Sequence, residues 1–345
     1  MTKRIRCGLV GLGRISAKHL EAMERHRENL DLVAVCDGDD VALKNLAAPG
    51  IQRFTDLGKM IKEIQLDAVS VCTPSGLHAE HGIQAAEAGC HVVMEKPMAV
   101  AWEDGIRLHD TCKARKVKLF VVLQNRYNPT IQALKQAIVQ GRFGRIYMIS
   151  SNVFWARPQS YYDQAPWRGT WKMDGGAFMN QASHNVDMLY WLGGEVESVQ
   201  STIGTLERRI EAEDTGATIV RYKNGGIGSL NVTMLTYPQN REGSVTVLGE
   251  KGFVRIGGTA MNVIETWEFR DALPQDAQVT AASYDTDSVY GDGHHIFYAG
   301  VIKALQQNVA PEIDGEQGLR SLEILTAIYD SAKAQRSVTL PLAKS

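Results

Sequence analysis

The chain has 345 residues, 44% hydrophobic and 22% charged, values ordinary for a folded protein and long enough for two domains. Its 37 Lys and Arg against 39 Asp and Glu give a net charge of −2, which argues against a nucleic-acid-binding chain while leaving room for a local basic pocket. No apolar run approaches the ~18 residues of a membrane span. The apolar stretch Cys7–Gly13 is cut by Arg14 and lacks a small-residue cleavage site behind it, so it reads as a strand and loop rather than a signal peptide. Five cysteines, at 7, 36, 72, 90 and 112, form no CxxC pair; a disulfide framework and a metal site are not expected, and the cytoplasm is the expected compartment.

In chain order, short β-rich runs come at Ile5–Val10, Leu32–Cys36, Ala68–Cys72, His91–Met94 and Leu119–Val122. Helical periods lie between them, over Ile15–Arg25, Asp39–Ala47, Asp56–Ile64, Leu77–Ala88 and Ala101–Arg115. This alternation predicts a parallel sheet with right-handed crossovers, its strands apolar because both faces are covered. After Asn125 the pattern changes. A helix over Pro129–Gln140 and a strand over Ile146–Trp155 are followed by an aromatic loop at 156–174 and a helix at about 177–192. From Val196 to about Trp267, alternating Thr, Val and Ile with glycine turns predicts antiparallel strands. A polar loop, 271–293, precedes helices over His294–Gln307 and Leu319–Lys333. The expected architecture is α/β: a Rossmann dinucleotide-binding domain at 1–123, then an α+β domain at 124–345 built on a large, mostly antiparallel open sheet.

Gly11 and Gly13 follow the first strand and open a helix, matching the first two positions of G-x-G-x-x-G/A, with Ser16 at the third. The first glycine makes the tight turn and the second lets a pyrophosphate approach the backbone at the helix N-terminus, beside Arg14 and Ile15. Asp37 ends the second strand, 26 residues after Gly11, where an acid accepts from the ribose hydroxyls and repels a 2′-phosphate. That favours NAD over NADP, although Asp37 also suits a helix cap, a job open to Asp39. At the carboxyl ends of the fourth and fifth strands stand Thr73, Pro74, Ser75 and His78, then Glu95, Lys96 and Pro97. Lys96 there can polarise a hydroxyl or carbonyl and relay a proton. In Asp174-Gly-Gly-Ala-Phe-Met-Asn180-Gln-Ala-Ser-His184-Asn-Val-Asp187, helical spacing puts Asn180, His184 and Asp187 on one face, so that His184 can take a proton while Asp187 or Asn180 holds it. Arg157, Tyr161, Trp167 and Arg168 interleave cations and aromatics suited to a base, a phosphate or a carboxylate. The pair His294-His295 reads as core or capping residues.

Together the strand-one glycines, TPSGLH at 73–78, EKP at 95–97 and the glycine turn before His184 resemble the Gfo/Idh/MocA oxidoreductase family over nearly the whole chain. QNRYNP (124–129), FWARPQSYYD (154–163), WRGTW (167–171) and DGGAFMNQASH (174–184) are similar, more narrowly, to bacterial UDP-N-acetylglucosaminuronate 3-dehydrogenases of the WbpB/WlbA type. That resemblance implies NAD-dependent oxidation of a UDP-sugar at C3 in lipopolysaccharide O-antigen biosynthesis. It further implies Lys96 and His184 as catalytic, Gln124 and Asn125 beside nicotinamide or substrate, Trp167 and Arg168 against the cofactor, and a tetramer assembled through the open sheets. Asn180 stands where many members carry an aspartate paired with the histidine, which leaves the base between His184 and Lys96. Arg157, Tyr161 and Asn180 join the expected substrate contacts, and the substrate carbon is expected between the domains. Two other readings are a dehydrogenase of a free sugar or inositol and a non-catalytic NAD-sensing regulator; retention of both Lys96 and His184 argues against the regulator.

Overall fold

A computed structural model describes residues 3–46, 50–286, 291 and 293–343. The chain divides into two compact units. The first takes the chain as far as Leu123 and then His294–Leu322; the second takes Gln124–Gly293 and Glu323–Ala343.

The first unit runs β1 (Ile5–Val10), α1 (Ser16–Arg25), β2 (Leu30–Cys36), α2 (Asp40–Asn45), β3 (Gln52–Phe54), α3 (Leu57–Glu63), β4 (Ala68–Val71), α4 (His78–Glu87), β5 (His91–Met94), α5 (Trp102–Ala114) and β6 (Leu119–Val121). The strands form one parallel sheet in the order β3-β2-β1-β4-β5-β6. All four residues of β4 are buried, as a strand covered on both faces requires. The order reverses between β1 and β4, and the carboxyl ends on either side of that point carry the glycine loop and Thr73. Strand β3 has no counterpart among the apolar runs of the sequence: two of its three residues are exposed.

The second unit continues with α6 (Pro129–Val139), β7 (Ile146–Phe154), the short α7 (Gln159–Tyr162), a wide turn at Ala177–Gln181, α8 (Ser183–Gly193), β8 (Val196–Gly204), β9 (Thr215–Tyr222), β10 (Ile227–Thr233), β11 (Glu242–Gly249), β12 (Gly252–Gly257) and β13 (Val263–Phe269). Proline at the start of α6 costs nothing there, because the first amide has no intrahelical acceptor. Two helices, α9 (Gly293–Gln306) and α10 (Gly315–Ala334), and a final β14 (Val338–Thr339) complete the chain. The sheet order is β13-β12-β11-β7-β10-β9-β8-β14. Only β7 and β10 pair in parallel among the described strands of this sheet; the remaining pairs are antiparallel. Helix α8 lies on β7 and β10.

Two features differ from the sequence reading. From His294 to Leu322 the chain belongs to the first unit, whereas a 124–345 domain places it in the second. Nor is there one helix over 177–192. Ala182 N–H bonds Ala177 O, five residues back, at 2.8 Å, and α8 starts only at Ser183. Among the described residues, no helix is long and apolar enough to cross a membrane.

Candidate active site

At the edge of the parallel sheet, Gly11 has φ +91°, and a Cβ on it would stand 2.6 Å from the backbone of Cys72 and Thr73. Both the left-handed backbone and the approach of the β1 and β4 tails therefore require glycine. Gly13 is different: among the described residues, its chain neighbours apart, no atom lies within 4 Å of where its Cβ would be. The protein does not need that glycine for its own packing, and the clearance suits a pyrophosphate against the backbone before α1. Ser16 is buried and donates from Oγ to Gly13 O at 2.6 Å, so it serves in the third glycine's place. Arg14 is exposed and Ile15 half-buried on the same loop. Asp37 accepts from Leu12 N at 2.5 Å and from Asp39 N at 2.8 Å. A carboxylate has about four acceptor positions, so two remain for ribose hydroxyls. Asp39, not Asp37, caps α2, accepting from Val41 N at 2.8 Å. The residues present fit NAD.

Further along the edge, Thr73 Oγ1 lies 3.1 Å from His81 Nδ1, and Pro74 leads into a single tight turn, Ser75–Leu77, with Ser75 buried. His78 is buried, with Nδ1 2.7 Å from Pro97 O and Nε2 2.8 Å from Thr73 O. Both ring nitrogens thus meet backbone carbonyls, and the side chain ties the loop after β4 to the loop after β5. Both nitrogens of this expected cofactor contact are engaged by the protein's own backbone, and the imidazole shapes the edge. Burial pushes its pKa down, against the pull of those carbonyls.

Glu95, the next expected cofactor contact, follows β5 with its side chain turned into the unit. Its carboxylate points inward, 2.8 Å from His19 Nε2 and 3.5 Å from His294 Nε2, and its other oxygen accepts from Lys96 N at 3.0 Å. His19 Nδ1 continues to Tyr298 OH at 2.7 Å, and that hydroxyl to Ser70 Oγ at 2.9 Å. Burial alone would raise the Glu95 pKa; the bond from His19 and the nearby His294 imidazole outweigh it and hold the carboxyl well below the usual range. His19, Glu95 and His294 bring three possible ligand atoms within 4.8 Å. The direct His19–Glu95 bond marks the cluster as a hydrogen-bonded brace behind the backbone of Lys96. Lys96 itself is half-buried as it leaves β5.

In the second unit, His184 sits in the first turn of α8, with Nε2 3.0 Å from Gln124 Nε2. Which of the two nitrogens donates follows from the imidazole tautomer and the way the Gln124 amide is turned. Asn125, next to Gln124, is buried. The expected single face of Asn180, His184 and Asp187 is not formed. Asn180 lies on the wide turn and donates to Asp174, whose other oxygen accepts from Gly169 N at 2.7 Å. Asp187 takes two bonds from Arg126, Nε at 2.8 Å and Nη2 at 2.7 Å. Gln124 thus bonds His184, and Arg126, unassigned from sequence although it lies inside QNRYNP, holds α8 through Asp187.

Tyr161 is flanked by two guanidinium groups, Arg168 at 4.3 Å and Arg157 at 5.4 Å from its ring centre. Arg168 also lies 5.1 Å over Trp167, and Arg157 5.1 Å over Trp155. The structure thus brings together the four loop residues singled out from sequence. Two cations on aromatic faces concentrate positive charge on this loop. Trp171 stands apart, exposed and edge-on to Tyr329.

Comparison with known proteins matches residues 5–123 to "Oxidoreductase family, NAD-binding Rossmann fold" and residues 135–340 to "Oxidoreductase family, C-terminal alpha/beta domain". The crystal structure of the WlbA dehydrogenase from Bordetella pertussis, in complex with NADH and UDP-GlcNAcA, is 54% identical with a TM-score of 0.96, covering 99% of this chain and 100% of its own. The Chromobacterium violaceum WlbA dehydrogenase, also with NADH and UDP-GlcNAcA, is 51% identical with a TM-score of 0.94, covering 99% and 97%. Myo-inositol 2-dehydrogenase of Thermotoga maritima is 28% identical over 352 residues, 97% of this chain and 98% of its own. A glycine loop made for a dinucleotide, an acid at the end of β2 and both matched domains establish that this chain is an oxidoreductase of the Gfo/Idh/MocA family, with an NAD-binding Rossmann fold.

Proposed function

We propose that the chain oxidises the C3 hydroxyl of UDP-N-acetylglucosaminuronic acid to the 3-keto sugar, in the biosynthesis of a diamino-uronic acid of bacterial surface polysaccharide. The observation that carries this is 54% identity across the whole chain to a dehydrogenase solved with NADH and UDP-GlcNAcA. NAD, when bound, accepts the hydride from the alcohol carbon. Gly11, Gly13, Arg14, Ile15 and Asp37 hold its pyrophosphate and ribose, with Thr73, Pro74 and Ser75 along the edge. His184 takes the hydroxyl proton as the C–H bond breaks and the carbonyl forms, its ring held by the hydrogen bond between Nε2 and the Gln124 amide. Lys96 supplies positive charge to the oxygen as the proton leaves. Arg157 and Arg168, on the faces of Tyr161, suit the acidic groups of a nucleotide-linked uronic acid.

The same reading includes a cytoplasmic tetramer. Exposed Leu248, Met148 and Ile227 stand in register across β11, β7 and β10, an apolar row on a sheet surface that a second copy would cover. A dehydrogenase of a free sugar or inositol is the second reading, favoured by the full-length likeness to the Thermotoga enzyme at about half the identity. Measuring NADH formation with UDP-N-acetylglucosaminuronic acid, UDP-N-acetylglucosamine, glucose and myo-inositol separates the two. Turnover confined to the acidic UDP-sugar is expected; turnover of inositol or glucose alone would establish the second reading.

A further inference from the structure

The wide turn at 177–181 leaves three amide N–H groups that a helix cannot satisfy within itself. Ala177 N–H donates to Glu213 O at 3.0 Å, and Phe178 N–H to Glu213 Oε1 at 2.9 Å. Met179 N–H donates to Tyr329 OH at 3.0 Å, and that hydroxyl donates in turn to Glu213 Oε1 at 2.9 Å. Glu213 comes from the stretch just before β9 and Tyr329 from α10, so two distant segments meet at one turn. The glycine before the turn serves the same contact. A Cβ on Gly176 would fall 1.6 Å from Glu213 Oε2 and 2.0 Å from its Cδ. The Gly176 backbone is extended, φ −102° and ψ −159°, open to any residue, so the carboxylate and not the backbone demands glycine there.

We propose that Glu213, with Tyr329, is a positioning residue for the sugar-binding turn: it captures the turn's first amides and so sets Asn180 and, just beyond it, His184. This rests on the reading of Asn180 and His184 as substrate contacts. The wide turn ends in Gln181, and His184 follows within three residues, so a shift in the captured amides is passed to both side chains. The glutamate is 1% exposed, and Asp174 and Tyr329 are the titratable groups acting on it.

The test measures KM for the UDP-sugar, kcat, the UDP-sugar dissociation constant and amide exchange in four single variants and one double. Glu213→Ala should raise KM and the dissociation constant by on the order of tenfold or more, the loss of two buried bonds, with faster exchange at Phe178 and Met179. Glu213→Gln keeps the accepting oxygen and should recover most of the affinity. Tyr329→Phe, which leaves Glu213 in place, should free Met179 N–H and reproduce part of the loss. Gly176→Ala should act like Glu213→Ala, and the double variant should be no worse than Glu213→Ala alone, because both changes break one contact. Unchanged sugar affinity in Glu213→Ala and Tyr329→Phe, or independent effects in the double variant, would overturn the proposal while wild type still binds the UDP-sugar. A wild type that binds no UDP-sugar would overturn the function reading itself, and this one with it.

Discussion

Asp187 is, with Asn180, one of two residues that helical spacing offers to hold the histidine, and its bonds to Arg126 predict a different consequence of removing it. Arg126 and Asp187 are 3% and 0% exposed at their side chains and share two bonds, at 2.8 and 2.7 Å. Lys135 lies in the same surroundings: its ammonium is 4.9 Å over the Trp191 ring, and Arg126 is 5.2 Å over it. Burial lowers the Lys135 pKa and the Arg126 charge lowers it further, while Asp187 works the other way. Asp187→Ala leaves the Arg126 guanidinium buried without its counter-charge, with a second cation beside it. Breaking such a pair costs about 3–5 kcal/mol. Replacing both partners, Arg126→Met with Asp187→Leu, removes the stranded charge and should cost no more than ~1 kcal/mol. Urea unfolding followed by circular dichroism reads both numbers. The turnover of Asp187→Ala, per folded molecule, should stay well above that of His184→Ala. A loss under ~1 kcal/mol in Asp187→Ala, or a turnover collapse with stability intact, would refute the assignment of Asp187 to α8 rather than to His184.

Three further outcomes follow from the same geometry. NAD should bind at least ~10-fold more tightly than NADP, since Asp37 and a 2′-phosphate repel; equal dissociation constants by calorimetry would exclude that role. Lys96→Ala and His184→Ala should each lower kcat by on the order of 10²-fold or more with little change in NAD affinity, and near wild-type kcat in both would remove them from the chemistry. Burial raises the Glu213 carboxyl from 4.5 to about 7, against the bonds from Phe178 and Tyr329 and with help from Asp174. The folded state then favours the neutral acid, so its contribution is full below pH ~4.5 and is lost as pH rises through ~7. The stability of wild type relative to Glu213→Gln should fall by on the order of 3 kcal/mol between pH ~4.5 and ~8, and a flat difference in thermal or urea unfolding would contradict it.

Period and punctuation made the first unit legible. Five of its six strands are apolar runs closed by turns, and the glycine loop, Thr73, Lys96 and Asp37 all fall at carboxyl ends of strands. Strand β3 escaped because three residues, two of them exposed, leave no pattern. At the site, Gln124, His184, Arg157, Tyr161, Trp167 and Arg168 lie in motifs that the sequence displays. Glu95 and His78 lie in such motifs too, yet their side chains turn inward to partners at His19, Thr73 and Pro97. Direction of this kind depends on tertiary partners, and no spacing rule encodes it. The face of Asn180, His184 and Asp187 failed for a related reason. Helical spacing assumes that the backbone keeps its own amides, and at 177–179 Glu213 and Tyr329 take them. Neither residue is marked in sequence, since one precedes a strand and the other lies on a long helix.

The central claim, hydride removal from C3 of a UDP-linked uronic acid, is tested most directly by UDP-N-acetylglucosaminuronic acid carrying deuterium at C3. One turnover with NAD, followed by mass spectrometry of the dinucleotide and the sugar, should give singly deuterated NADH and a 3-keto sugar without the label. Unlabelled NADH from that substrate, or no NADH at all while myo-inositol is oxidised, would contradict the account.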